Sequence, residues 1–282
     1  MYESTKFLML ITIKLLGDTM RIIVTAKQVP DPEAPQSSFS VDSDAKKVVV
    51  AASVPAAVSD YDSYAAEAAL RIKDEVEGTT VSVLSLGEDH VMDVIKRPIA
   101  MGADELFLVQ DEELANGDAM AIAHTLAAAI KNMGEFDLIM CGRQSADLDQ
   151  GIVGTGLAAI LGIPVLTSAV GVRLKGDWIE IDRAVEDGID TVAAQLPAVV
   201  TVSSEIGEVR YATMRGIMAA RKVQPTVWSK ADLTSLKDSE AFTSVVDVFA
   251  PESESNVEMI EGDDAADSGR LLAQKLREER LI

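Results

Sequence analysis

Leu138-Ile139-Met140-Cys141-Gly142-Arg143-Gln144-Ser145-Ala146-Asp147-Leu148-Asp149-Gln150-Gly151-Ile152-Val153-Gly154-Thr155-Gly156 runs from a short apolar segment, through a polar loop, into a small-residue helix beginning around Gly151. An apolar run without alternation marks a strand covered on both faces, the condition of a parallel sheet. Strand, glycine-bearing loop and helix in that order also suit an anion. Glycines let main-chain N–H groups approach a phosphate, and the helix start supplies unpaired donors and positive dipole character. Gly142, Gly151, Gly154 and Gly156 would serve that end. The stretch is neither a G-x-G-x-x-G fingerprint nor a Walker A loop, since no Gly-Lys-Ser/Thr follows. Two readings therefore stand together: phosphate binding, and tight packing of a helix on the sheet.

Outward from it, Ile22 to Ala26, Val81 to Leu86 and Leu106 to Val109 repeat the buried-strand pattern, with helical spacing between them. Such alternation predicts an α/β fold with a Rossmann-like parallel sheet and flanking helices. Ala65, Ala68, Ala69, Ile72 and Val76 make one helical stripe, with Glu67, Arg71, Lys73 and Asp74 on the other faces. Asp118 is placed to cap a helix whose stripe is Ile122, Ala123, Leu126, Ala127 and Ile130. A further helix is expected from Val91 to Met101, stopped by a left-handed Gly102. After Pro164 the texture changes: Val170 to Leu174, the turn Lys175-Gly176-Asp177 and Trp178 to Arg183 predict an antiparallel hairpin added to the sheet. Ala198 to Ser203 reads as one more strand. Beyond Lys222 the core pattern fades, and residues 251–267 hold seven acidic residues, Glu252 and Glu254 among them, and no basic one, the composition of a solvated linker. A terminal helix from Asp267 to Arg280 carries Leu271, Leu272 and Leu276, with Leu281 just after it, for docking on this domain or on another chain. The expected division is a leader over residues 1–19, a nucleotide-binding domain over 20–225, and a C-terminal arm over 226–282.

At 282 residues and 48% hydrophobic, the chain suffices for one sizeable core. A net charge of −21 disfavours nucleic-acid phosphates and anionic lipid as partners. One cysteine, Cys141, excludes an internal disulfide and a thiolate metal cage, and fits a reducing, cytoplasmic setting. The apolar run Phe7 to Ile13 is too short to span a bilayer, and Glu3 and the lack of a cleavage site argue against a secretory signal. Met20, directly before a core strand, is the expected start.

Ligands of open parallel sheets collect at the carboxyl ends of strands. Thr25-Ala26-Lys27 and Leu86-Gly87 are such ends, and Ser59-Asp60-Tyr61-Asp62 precedes the first helix, where Ser59 or Asp60 has the alternative role of N-cap. Catalytic constellations are thin. His90 and His124 lack the spacing of a metal or nucleophile–base pair, and Cys141 at a strand end reads as an inert buried thiol. Asp147 and Asp149 have a magnesium reading, but solvation or capping is the commoner fate of loop acids. No catalytic residue and no resident metal is assigned.

Taken together, these residues resemble the electron-transfer flavoprotein β subunit from Met20 to about Lys222. Val24-Thr25-Ala26-Lys27-Gln28-Val29-Pro30-Asp31 is similar to that family's first strand and turn, and Gly142 to Asp149 to its Gly-Lys/Arg-Gln-x-x-Asp-x-Asp nucleotide loop. Ile181-Asp182-Arg183-Ala184-Val185-Glu186-Asp187-Gly188-Ile189-Asp190-Thr191-Val192, followed by Leu196-Pro197-Ala198-Val199-Val200-Thr201, resembles the family signature apart from Asp190, where Glu or Gln is usual. Arg210 to Lys222 resembles the loop that docks partner dehydrogenases, with Met214 at the anchor position beside Tyr211, Ile217 and Met218.

The resemblance implies an adenine-nucleotide α-hydrolase-like domain in a heterodimer. The α subunit would carry most of the FAD site, and this chain would bind AMP or, in electron-bifurcating members, a second FAD. The cofactor set it implies is Thr25, Ser59, Asp60, Tyr61, Asp62 and Leu86, with every residue from Gly142 to Val153. Ser59-Asp60 departs from the Asn-Pro of many relatives, and Asp149-Gln150-Gly151 from their usual small or polar residue and amide. The implied activity is carriage of electrons from acyl-CoA-type dehydrogenases to a quinone reductase or another acceptor. Two alternatives are bifurcation from NADH and a free-standing adenine-nucleotide-binding module.

Overall fold

The computed structural model describes residues 19–237, 241–251 and 257–282. The expected leader thus lies outside the described residues except at Thr19, and so do Glu252 and Glu254 of the acidic run.

Along the chain, β1 (Arg21–Thr25) is followed by β2 (Gln28–Pro30), which pairs antiparallel with β5 (Ala56–Val58) around the hairpin β3 (Phe39–Asp42) and β4 (Lys47–Val50). Next come α1 (Asp60–Glu75) and β6 (Thr80–Gly87). The single helix expected over 91–101 is two, α2 (Met92–Ile95) and α3 (Arg97–Met101). They divide at Lys96 because Pro98 has no N–H to donate and is accommodated only in the first turn of α3. Gly102 closes α3 at φ 133°, beyond the left-handed helical value but equally closed to side-chain-bearing residues.

β7 (Glu105–Gln110), α4 (Glu112–Ala115) and α5 (Ala119–Met133) follow, and Asp118 caps α5 as expected, its Oδ1 accepting from the Ala121 N–H at 2.9 Å. β8 (Leu138–Gly142) leads to α6 (Val153–Leu161). The expected hairpin is β9 (Val165–Lys175) and β10 (Trp178–Val185), extended by a third strand the sequence did not announce, β11 (Gly188–Gln195), before β12 (Ala198–Val202). β11 is largely exposed and has little apolar alternation, so no core pattern marks it. The chain ends through α7 (Met214–Lys222), β13 (Thr226–Trp228) and α8 (Ala265–Glu278).

Among the described residues, nine strands form the main sheet in the order β11-β10-β9-β12-β8-β1-β6-β7-β13, antiparallel only where β10 meets β9 and β11. Side chains alternate across it and define two cores. Ile22, Val24, Leu138 and Met140 pack with Ala65, Ala69 and Ile72 of α1. Ile23, Ile139 and Val199 pack with Leu126 and Ile130 of α5 and Leu157 of α6. Each of the buried Ile, Val, Leu and Met side chains contributes about 1.5–3 kcal/mol of burial, so covering both faces dominates the stability of the domain. Between β1 and β8 the winding reverses, and the crevice above their carboxyl ends is where such sheets hold ligands.

The edge strand β13 pairs with β7, Phe107 and Trp228 having ring centroids 5.4 Å apart, although the apolar pattern of the sequence fades there. Thr243 donates through its N–H and hydroxyl to Asp118 Oδ2, tying the start of the arm to α5. α8 starts at Ala265 with Asp264 as its cap, two residues before its expected beginning, and buries none of its residues, its leucines included. Among the described residues, no helix is long and apolar enough to cross a membrane.

Candidate functional site

Asp62, in the first turn of α1, organises the crevice. Its Oδ2 accepts the Lys27 N–H at 2.8 Å, just past β1, and its Oδ1 accepts the Gly142 N–H at 3.1 Å, at the end of β8. One carboxyl group therefore ties the two strand ends on either side of the winding reversal. The loop after β8 is fixed by one local bond and two that reach distant parts of the chain. Lys27 Nζ meets Asp147 Oδ2 at 2.6 Å, Gln144 Nε2 donates to Asp149 Oδ1 at 2.6 Å, and the buried Ser59 hydroxyl accepts the Ala146 N–H at 3.2 Å. Ser59 thus holds the loop and makes no side-chain cap to α1, contrary to the capping alternative. Arg143 lies over the Tyr61 ring, 5.5 Å from its centroid. Gly151, at φ 64°, turns the chain into α6, a conformation glycine adopts without strain.

α6 begins without a side-chain cap, because Ile152 at its N-cap has no acceptor. Val153 and Gly154 of its first turns line a cleft. The loop also brings Gly142, Arg143, Gln144, Ser145, Leu148, Gln150, Gly151 and Ile152 to this cleft, where Thr25, Asp62 and Leu86 join them from the other elements. Ala146, Asp147 and Asp149 support the loop from behind, as do Ser59 and Tyr61. Asp60 is exposed and lines a separate surface depression with Asp31 and Arg97, away from the cleft. Opposite the loop stand Ala115, Ala119, Ile122 and Leu126, an apolar wall. In the sequence Ile122 and Leu126 belong to the core stripe of α5, and nothing local distinguishes a core face from a cleft wall. Uncapped helix donors facing an apolar wall suit a phosphate joined to a flat heterocycle.

The titratable groups divide by cause. Burial pushes the Asp62 carboxyl up to about 7, against the pull of the Lys27 and Gly142 N–H groups. Burial would also raise Asp147, but its bonds from Lys27 and Ser145 outweigh that and hold it below the ordinary range. Burial pushes the Cys141 thiol up to about 12, which makes it an inert side chain at neutral pH. His90 is buried, with Nε2 3.1 Å from Ser85 Oγ, and burial lowers its pKa. His124 stacks on Phe242. Among the described residues, no three His, Cys, Asp or Glu side chains gather in a way that would hold a metal ion.

Asp62 yields a pH prediction. The unfolded chain releases this proton near 3.8 and the folded chain near 7, so the folded state holds the extra proton between those values and loses stability as pH rises through the interval. The slope approaches about 1.4 kcal/mol per pH unit. Urea unfolding between pH 5 and 7 is expected to show this decline in the wild type and a flatter profile in Asp62→Asn; equal profiles would remove Asp62 as its source.

A second surface lies at the far end of α1. Tyr211 is 90% exposed, Met214 75% and Met218 62%, with Ile217 at 36% beside them. The sequence placed Glu67 on a polar outer face of α1, but it is only 4% exposed. Its carboxylate is covered by Arg210, which donates from its N–H at 3.1 Å and its Nε at 2.8 Å. Helical spacing distinguishes the faces of one helix and does not show that a loop 143 residues away covers one of them.

A family profile described as "Electron transfer flavoprotein domain" matches residues 46–233. The chain is 34% identical over 268 residues to the caffeyl-CoA reductase-Etf complex subunit CarD of Acetobacterium woodii, covering 93% of this chain and 100% of that one. It is 36% identical over 209 residues to the electron transfer flavoprotein subunit beta of Megasphaera elsdenii, covering 72% and 76%. With the acryloyl-CoA reductase electron transfer subunit gamma of Anaerotignum propionicum it shares 31% identity over 278 residues, covering 93% and 100%. These matched lengths, on a largely parallel sheet with the antiparallel β9–β11 extension, show that the chain belongs to the electron transfer flavoprotein family and is of its β-subunit type.

Proposed function

We propose that this chain pairs with an electron-transfer flavoprotein α subunit, binds AMP in the crevice between β1 and β8, and helps hold the α subunit's FAD. The observation that carries the AMP assignment is the uncapped start of α6 facing the apolar wall of α5 across the cleft. The phosphate takes the main-chain donors of Gly151 to Gly154, and the purine lies against Ala119, Ile122 and Leu126. Asp62, protonated below about pH 7, keeps the strand ends together beneath the ligand without placing a full charge there.

FAD supplies the one-electron chemistry when bound; this chain contributes orientation and electrostatics. Tyr211, Met214, Ile217 and Met218 form the docking surface for acyl-CoA-type dehydrogenases, where flexible thioethers adapt to pockets of different shape. Electrons pass on to a quinone reductase or another acceptor, in the cytoplasm.

A second reading places FAD in this crevice as well, for bifurcation from NADH. The relatives named as subunits of caffeyl-CoA and acryloyl-CoA reductase systems favour it. Co-purification with the α-type partner, denaturation and chromatography of the released cofactors separates the readings. One AMP and one FAD per heterodimer is the expected result. Two FAD and no AMP would move the assignment to bifurcation, and no flavin-bearing complex would leave a free-standing nucleotide-binding module.

A further inference from the structure

Glu67 and Arg71 project from one side of α1 onto the segment that leads into the exposed apolar loop. Arg71 Nη1 donates to the Ile206 carbonyl at 2.8 Å and its Nη2 to the Glu208 carbonyl at 2.8 Å. Gly207, at φ 108°, makes the turn that points both carbonyls at the same guanidinium, with Arg71 Nη2 3.5 Å from where a side chain would begin. Arg71 Nε returns to Glu67 Oε1 at 2.9 Å, so the two side chains of α1 act as one unit. On the next residues of the segment, Arg210 gives Glu67 three contacts, and its Nη2 also reaches Asp74 at 2.8 Å. Charge-assisted bonds of this kind, made by a carboxylate with almost no solvent access, are stronger and more directional than exposed ion pairs.

On the other side of the loop, α7 is held against α3. Thr213 caps it, accepting the Gly216 N–H at 3.0 Å, and a Cβ on Gly216 would sit 2.2 Å from the Ala100 carbonyl oxygen. Tyr211 and Met214 therefore stand exposed between two fixed points, one polar at 206–210 and one steric at Gly216. Val209 and Ala212 also pack on the α1-side core, which ties down the segment without specifying its direction.

We infer that Glu67 is a positioning residue for partner docking: through Arg210 and Arg71 it holds residues 206–213 so that Tyr211 and Met214 meet a dehydrogenase already ordered. The inference rests on the docking role proposed above. An ordered loop binds more tightly than a loose one with the same contacts, because the ordering cost falls on folding and not on association. Glu67 is buried and does not line the cleft, so its loss changes encounter and leaves the transfer step alone.

The test uses the complete flavin-bearing heterodimer with an acyl-CoA dehydrogenase reduced by butyryl-CoA as the probe. Glu67→Gln keeps the size of the side chain and removes its charge. The expected result is a rise of about tenfold in KM for the dehydrogenase with kcat unchanged, faster amide exchange confined to residues 206–213, and unaltered flavin and nucleotide content. Arg210→Gln is expected to give the same rise, and the double variant little more than either alone, since all three remove one clamp. Met214→Glu serves as the reference. If it raises KM while Glu67→Gln does not, the positioning role is overturned and the docking surface stands; if neither variant moves KM, the docking reading falls and the inference falls with it. A uniform rise in amide exchange across β1 and β8 would make Glu67 an ordinary stabilising group and would equally overturn the proposal.

Discussion

Gly142→Ala is expected to strip the crevice of its nucleotide and to destabilise the domain by about 1–3 kcal/mol. A Cβ at this position would lie 2.7 Å from Tyr61 Cβ, 2.8 Å from the Tyr61 carbonyl carbon and 2.8 Å from Asp62 Oδ1. None of these atoms is the yielding end of a long side chain. The first turn of α1 would have to move away from β8, and that movement breaks the Gly142 N–H bond to Asp62, leaving a buried carboxyl group with one donor fewer. Ligand and fold are coupled here, because the atoms that collide are those that close the strand ends beneath the proposed phosphate. Urea unfolding of the variant together with AMP released per heterodimer measures both effects. Gly269→Ala is the control, since nothing lies within 4 Å of the added atom. Stoichiometric AMP in Gly142→Ala would remove the crevice as the nucleotide site.

Met214→Glu is expected to act in the opposite way, with a large functional loss and almost no structural one. At 75% exposure the side chain contributes little to the core, so unfolding free energy should stay within about 0.5 kcal/mol of wild type. An anchor residue at the centre of a docking patch, in contrast, commonly accounts for 2 kcal/mol or more, roughly thirtyfold in binding. The carboxylate adds the cost of carrying a charge into an apolar pocket. Rapid mixing of the heterodimer with reduced acyl-CoA dehydrogenase should show the loss, while direct reduction of the flavin by dithionite remains normal. Undiminished transfer from the dehydrogenase would place the docking surface elsewhere.

These effects differ in how far the sequence foretells them. Gly142 is conspicuous in the chain because an apolar run ends on it and a polar loop begins, whereas Met214 stands out only through the resemblance of Arg210 to Lys222 to a docking loop. β11 is not conspicuous: its residues are mostly exposed, and without a buried face a strand leaves no alternation to read, while the alternation Phe39-Ser40-Val41-Asp42 of β3 is only four residues long. The division of the helix at Lys96 went unread in the apolar spacing of 91–101, because the missing N–H of Pro98 outweighs that spacing. Asp60 and Asp62 are two residues apart and look interchangeable in the chain, yet only Asp62 turns toward the cleft, since residues two apart on a helix do not share a face.

By itself the sequence determined the class of fold, because burial on both faces of a parallel strand writes an unbroken apolar run and burial on one face of a helix writes a 3.6-residue period, both of which are local. It also determined where the loop between β8 and α6 would begin, since strand, glycine and helix are consecutive. Only the tertiary structure decided that Asp62 would join Lys27, 35 residues before it, to Gly142, 80 residues after it, that Ser59 would brace the loop, and that Glu67 would be covered by Arg210. Those pairings follow from strand order and from the rotation of α1 on the sheet. Both are set by the sum of all packing contacts, and no single stretch of chain contains that sum.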